Sequence, residues 1–233
     1  MINEFLLIGS IIIGFFLVII AYELFGKMGL FVWVAIGVII ANIEVMKTVE
    51  VFGMVTALGN VVYSSIFLVT DILNENYSKK EAQKAVWIGF FVLISVTILM
   101  QITINFIPHE SDKLSVHLTN IFEFFPRIAV ASLTAYLISQ SFDVLLFAKL
   151  KKIHKRKFLW FRNNSSTIIS QLIDTTIFTL IAFAGEQNLD IILQIFITSM
   201  ILKIVISFCD TPFIYWARKL CDKNKINLAS KRI

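Results

Sequence analysis

The sequence is poor in charged residues, proline and cysteine. Asp, Glu, Lys and Arg make up 16% of its 233 residues, whereas soluble domains carry about 25%, so a soluble globular protein is excluded. Three prolines leave long stretches free to be helical. The two cysteines, Cys209 and Cys221, fit neither a disulfide framework nor a metal motif.

Several motifs of enzymes are also missing. The sequence has no HExxH zinc motif, no GxSxG nucleophile elbow, no P-loop and no Rossmann glycine pattern. Ser and Asp in the fifth and sixth apolar segments have no His partner at membrane depth. We therefore predict a protein that is not an enzyme, does not hydrolyse ATP itself, and has no cofactor or metal.

Apolar residues dominate what is present. They form 58% of the chain, 22 of them Phe, and the mean hydropathy is +0.82. Because a helix needs about 20 apolar residues to cross a bilayer, we predict an all-α integral membrane protein with one domain, 1–233. The first segment lacks a basic flank and a cleavage site, so we interpret it as a retained span. The seven predicted spans are 5–24, 29–46, 51–73, 85–107, 126–148, 163–184 and 190–217.

Basic residues lie mostly on one side of the predicted spans. The connections 25–28, 74–84 and 149–162, together with the tail 218–233, contain 17 of the 21 Lys and Arg residues. The positive-inside rule places these pieces in the cytoplasm. The N-terminus is then outside and the C-terminus inside. Since the charge flanks the membrane, the net +5 indicates no nucleic-acid partner.

The sixth span carries a row of polar residues. Asn164, Thr167, Gln171 and Asp174 follow one another at intervals of three or four, so they share one face of a helix. Asp174 lies near mid-depth, where a carboxylate costs at least about 2.5 kcal/mol unless it faces protein or water. Lys203 lies near mid-depth on the seventh span and is its predicted partner.

Three other spans repeat this pattern. Two interpretations stay open: the rows hold helices together through hydrogen bonds, or they line a site for a neutral, flat solute with many donors. A ring could stack on Phe67 or Tyr136, and Arg127 marks the outer end of the fifth span. The rows consist of Asn60, Ser64, Phe67, Asp71 and Asn74 on the third span, Ser132, Tyr136, Gln140 and Asp143 on the fifth, and Lys203, Ser207 and Asp210 on the seventh.

Three runs of residues resemble one known family. They are SSIFLVTDILNENYSKKEAQKAVWIGF, RIAVASLTAYLISQSFDVLLFAKLKK and RNNSSTIISQLIDTTIFTLIAF. Their order and their TD, R-A-S-Y-Q-D and N-S-T-Q-D-T patterns are similar to those of the YhhQ-like (VUT) queuosine precursor transporters, over roughly 30–217. Ser78 departs from the glycine that the family often has after its tyrosine, and the first span is extra relative to a six-span core.

The resemblance implies a bacterial inner-membrane importer of the 7-deazaguanines preQ0 and preQ1. It also implies a six-helix core like the substrate-binding subunits of energy-coupling-factor transporters, without an ATPase partner. Matching the family's motifs suggests Asp71, Arg127, Tyr136, Gln140, Asp143, Asn164, Gln171 and Asp174 as substrate-binding residues, to which the polar rows add Asn60, Phe67 and Lys203.

Alternatives remain open at this stage. Asp71 and Asp143 lie nearer the cytoplasm and would serve equally as a gate or a bridge to the basic loop. Arg127 would serve equally as an interfacial anchor. The chain could be a binding subunit that needs a separate energising module, and a homodimer through Gly9 and Gly14 is a further alternative. Transport by facilitated diffusion and transport coupled to protons are both compatible with the sequence.

Overall fold

The computed structural model describes residues 2–123, 125–154, 158–183 and 189–230. Part of the basic loop, 155–157, and the last residue of the predicted sixth span lie outside this range. Helices dominate the described residues, in agreement with the predicted fold class. The elements in chain order are α1 (Ile2–Glu44), β1 (Thr48–Val51), β2 (Met54–Ala57), α2 (Asn60–Asn76), α3 (Lys79–Ile104), α4 (Ser115–Phe122), α5 (Phe125–His154), α6 (Leu159–Phe183) and α7 (Leu189–Ser230).

Helix α1 consists of two arms that meet at Gly26. Gly26 has φ 59° and ψ −141°, a conformation that is essentially restricted to glycine. The arms approach closely beside it, since a Cβ on Gly29 would lie 2.0 Å from the carbonyl oxygen of Ala21. At the far end, Asn3 donates a hydrogen bond to the carbonyl of Glu50. The chain therefore folds back on itself, and the predicted spans 5–24 and 29–46 are its two arms.

A β-hairpin occupies the start of the predicted third span. Strands β1 and β2 pair antiparallel, with Val51 opposite Met54. Phe52 and Gly53 between them have φ values of 51° and 73°, as a two-residue type I′ turn requires. The expected span 51–73 therefore differs from the structure, in which the helix begins at Asn60. The β-branched residues Thr48, Val49, Val51, Val55 and Thr56 favour the strands. A search for apolar runs does not distinguish such short strands from part of a span.

Helix α2 lies at the centre of the molecule. It packs against α1, α3, α5 and α7, and almost all of its side chains from Ser64 to Asn76 are buried. Ser78 follows it and caps α3 by accepting a hydrogen bond from the backbone N–H of Glu81. The serine that departs from the family pattern thus has a defined role at this turn.

Five of the described helices are long and apolar enough to span a membrane: α1, α3, α5, α6 and α7. With 43 residues, α1 measures about 64 Å along its path, roughly twice the hydrocarbon thickness, which suits two arms. The mainly apolar first arm packs on α7 through Phe15 and Phe213, whose ring centroids lie 5.2 Å apart. Its remaining large side chains are mostly exposed, as expected for a surface that faces lipid.

Candidate functional site

A small cavity of about 60 Å³ lies between the helices. It combines apolar walls with a few polar groups, as small-molecule sites do. Its wall near the β-hairpin comes from the end of α1 and the start of α2. The residues that line it are Val38, Ala41, Asn42, Val45, Gly59, Asn60, Tyr63, Leu93, Ser132, Ala135, Tyr136, Asp174, Phe178 and Lys203.

Asp174 anchors the polar part of this cavity. Its Oδ2 pairs with Lys203 Nζ at 2.8 Å, which confirms the predicted partner. Its Oδ1 accepts hydrogen bonds from the hydroxyls of Tyr63 at 2.6 Å and Ser139 at 3.1 Å. Lys203 also donates to Thr175 Oγ1 at 3.0 Å. Three groups thus bond a carboxylate that is only 4% exposed, which offsets the cost of burying it.

Aromatic rings form another part of the wall. Tyr63 and Tyr136 lie with ring centroids 6.1 Å apart, and Phe67 packs edge-on against Tyr63. The predicted stacking residue Phe67 is fully buried and does not line the cavity; Tyr63 lies there instead. The Tyr136 hydroxyl occupies space left by Gly89, where a Cβ would lie 2.1 Å from it.

A second polar group lies deeper than the cavity, around one face of α6. Thr167 donates to Asp71 and Ser170 donates to Asp143, both at 3.1 Å. One turn further, Asn163 donates to Asp210 at 2.6 Å. The three carboxylates come from α2, α5 and α7, and each is at most 1% exposed. Helix α6 therefore connects this acidic group to Asp174 along a single face.

An ionic cluster closes the deep end of the bundle. Glu75 lies 3.0 Å from Arg162, 3.7 Å from Lys151 and 3.8 Å from Arg218. Both Glu75 and Arg162 are fully buried, and Arg162 also lies 5.5 Å from the ring of Phe147. The cluster joins α2, α5, α6 and α7, so the bridge from α2 to the basic residues is formed by Glu75 rather than by Asp71.

The remaining predicted site residues occupy different environments. Gln140 accepts a hydrogen bond from Thr70, and Gln171 is buried on α6 with neither amide atom hydrogen-bonded to the described residues. Asn164 bonds Trp160, Thr211 and Ser207, which ties α6 to α7. Arg127 is exposed and donates to the carbonyl of Ile181 near the end of α6.

The cavity thus unites Asn60, Tyr136, Asp174 and Lys203 from the predicted set. Tyr63 was missed, although it lies three residues after Asn60 and four before Phe67, on the same helix face. Ser139 shares the same face of α5 as Tyr136 and could have been found from that spacing. The pairing of Glu75 with Arg162 has no sequence signal, because it depends on how α2 and α6 pack.

Comparisons with known proteins agree with one another. A family model described as "Putative vitamin uptake transporter" matches residues 57–217. A "Probable queuosine precursor transporter" of Bacillus subtilis (strain 168) is 44% identical over 92% of this chain and 94% of that protein. The Escherichia coli (strain K12) "Queuosine precursor transporter" is 25% identical over 80% of this chain and 86% of that protein.

A third relative, a "Probable queuosine precursor transporter" of Haemophilus influenzae, is 28% identical over 54% of this chain and 51% of its own length. No solved structure matches the chain. The family model covers the acidic group, the part of the cavity from Gly59 onward, and the ionic cluster except Arg218. By this match and by its likeness to the Bacillus protein, the chain belongs to the family of vitamin uptake transporters that the model describes.

Proposed function

We propose that this protein imports queuosine precursors, the 7-deazaguanine bases preQ0 and preQ1, across the bacterial inner membrane. The observation that carries the proposal is the cavity with the Asp174–Lys203 pair in its wall, 2.8 Å apart. The chain that contains this cavity matches two proteins named as queuosine precursor transporters, and each match covers most of that protein's length.

The cavity wall suits the edge of a deazaguanine. The N1–H and exocyclic amine of the base present two donors side by side, which a carboxylate such as Asp174 accepts well. The base carbonyl suits a donor such as Lys203 or Asn60, and the rings of Tyr63 and Tyr136 offer aromatic surface to a flat heterocycle. Of the other predicted residues, Gln140 and Gln171 lie deeper and would meet the base along its path.

The same proposal includes the orientation. We propose seven passes, two of them the arms of α1. The β-hairpin and N-terminus are then outside and the Glu75 cluster is at the cytoplasmic side, as the basic loops favour. The cavity is lined near the hairpin by Asn42 and Asn60 and is separated from the cytoplasm by the ionic cluster. This arrangement corresponds to a state that receives substrate from outside. The first arm packs outside a six-helix core, which we propose resembles energy-coupling-factor substrate-binding subunits.

The test is the queuosine content of tRNA in a bacterium that neither makes the precursor nor has its own importer. The cells would express this chain alone and receive nanomolar preQ0 or preQ1. We expect modification to return with the intact chain and to fail with Asp174→Asn. Asp222→Asn, which alters an exposed carboxylate of α7, is the matched control and should behave as the intact chain does.

The alternatives give different results. If the intact chain reaches the membrane but restores no queuosine, the stand-alone importer is wrong, and co-expression with an energising module then tests the binding-subunit alternative. If Asp174→Asn restores queuosine as well as the intact chain does, the cavity is not the binding site.

A further inference from the structure

We propose that Asp71 and Asp143 form a proton-binding site, separate from the substrate cavity, that couples import to the proton gradient. The inference rests on the proposed function, and it assigns the coupling role to this carboxyl pair instead of the Asp174–Lys203 ion pair. Three features carry it: the contact between the two carboxyls, their surroundings, and their connection to Asp174.

The first feature is direct contact between two buried acids. The carboxyl groups of Asp71 and Asp143 lie within hydrogen-bonding reach of each other, and both side chains are completely buried. Each has one oxygen bonded to a hydroxyl of α6. The other oxygen of each, Oδ1 of Asp71 and Oδ2 of Asp143, has no hydrogen-bond donor among the described residues. Two carboxyls in such contact cannot both be ionised without a large cost, and one shared proton removes it.

The second feature is a lack of compensating positive charge among the residues that the structure describes. Asp210 adds a third acid that interacts electrostatically with both members of the pair. The buried cations nearby are already engaged, Lys203 with Asp174 and Arg162 with Glu75. The charged or titratable side chains on the elements packed around the pair include Tyr22 and Lys27 of α1, Glu81 and Lys84 of α3, Asp174 and Arg162 of α6, and Lys203 and Asp210 of α7.

A buried amide nitrogen beside the pair also lacks a hydrogen-bond acceptor in the described part of the chain. Gln140 precedes Asp143 by three residues, so it shares that face of α5. Its Oε1 accepts a hydrogen bond from Thr70, the neighbour of Asp71, whereas its Nε2 has no acceptor among the described residues and the side chain is fully buried. In the described part of the chain, His, Cys, Asp and Glu form no cluster suited to a metal ion. A proton fits this pair of acids better than a metal ion does, since a metal ion needs several converging oxygen ligands.

The third feature is the link to the substrate site. Thr167 and Ser170, which hold the two carboxyls, lie on the same face of α6 as Asp174, about 6–11 Å along the helix axis. Loss of the shared proton would make the two acids repel and would separate α2 from α5, the helices that carry Tyr63 and Tyr136 in the cavity wall. A proton bound from outside would hold these helices together, move inward with the substrate, and leave on the cytoplasmic side.

Infrared spectroscopy tests the proton site without any substrate. Purified protein in liposomes at neutral pH should show the band of a protonated carboxylic acid. Asp71→Asn and Asp143→Asn should each remove or shift it, and Asp222→Asn should leave it unchanged. The proposal is wrong if the intact protein has no such band, or if the band is unaltered in both variants.

Transport by the same liposomes tests the coupling. With labelled preQ1 and an acidic exterior, one proton per substrate sustains about tenfold accumulation for each pH unit. The variant Asp71→Asn/Asp143→Asn should still exchange preQ1 across the membrane at equal pH but should not accumulate it. Accumulation by this variant, dependence on a sodium gradient, or mere equilibration by the intact protein would each refute coupling at this pair. If the intact protein does not exchange preQ1 at all, the proposed function fails, while the infrared result still decides the proton site.

Discussion

Asp174 and Lys203 depend on each other because both are almost completely buried. Removing one charge leaves the other without a partner, which costs about 3–5 kcal/mol at buried sites, whereas removing both costs much less. We expect Asp174→Asn and Lys203→Met to lower the thermal unfolding temperature more strongly as single variants than in combination. A double-mutant cycle on the purified protein measures this coupling, and additive losses would show that the pair contributes no stability.

Gly89 leaves the space that the Tyr136 side chain occupies. A Cβ at this position would lie 2.1 Å from the tyrosine hydroxyl and 2.8 Å from Cζ, so Gly89→Ala should displace the ring and weaken preQ1 binding at least tenfold. Adding Tyr136→Phe, which removes the nearest atom, should recover part of the affinity.

The matched control for that change is Gly14→Ala. No atom of the described residues lies within 4 Å of a Cβ built at Gly14, and alanine is the better helix former. This variant should bind preQ1 as the intact protein does. Equal affinity of Gly89→Ala and Gly14→Ala would show that the position of Tyr136 is unimportant for binding.

Helix α1 needs glycine at its reversal for two separate reasons. Gly26 has a backbone conformation that costs other residues about 1–3 kcal/mol, and Gly29 lies against the carbonyl of Ala21. We expect Gly26→Ala to lower the unfolding temperature by several degrees and Gly29→Ala to reduce the amount of folded protein in the membrane. Gly9→Ala, on the open face of the first arm, should change neither quantity.

The closed and open ends of the bundle can be distinguished by chemical labelling. We expect a cysteine at Ser132, which lines the cavity, to react with a membrane-impermeant thiol reagent added outside and to be protected by preQ1. A cysteine at Lys152 should react only from the cytoplasmic side. Both would be made in a variant without Cys209 and Cys221.

The opposite labelling pattern would reverse the proposed orientation. If Ser132→Cys reacts from the cytoplasmic side, or from neither side, the cavity does not open outward through the end near the β-hairpin. The Glu75–Arg162 cluster would then not be the closed inner end of the path.

Periodicity and hydropathy were sufficient to predict a helical membrane protein and the polar faces of its helices. They also predicted the Asp174–Lys203 pair, because a buried carboxylate and a buried ammonium at similar depth need each other. Hydropathy did not predict the β-hairpin, since a short run of β-branched residues is as apolar as the start of a membrane span. It also separated α1 into two spans without showing that Gly26 joins them by a sharp reversal.

The contacts between helices depend on how the helices pack. The spacing of residues along one helix does not predict them. Phe67 and Tyr63 share a face of α2, and it is the position of α6 that brings Tyr63 to Asp174 and leaves Phe67 in the core. Glu75 meets Arg162 for the same reason. The contact between Asp71 and Asp143 arises where α2, α5 and α6 converge. The sequence by itself determines which residue types lie at which depth along each helix. The distances between residues of different helices, which determine how charges pair and what the site can bind, depend on how the helices pack.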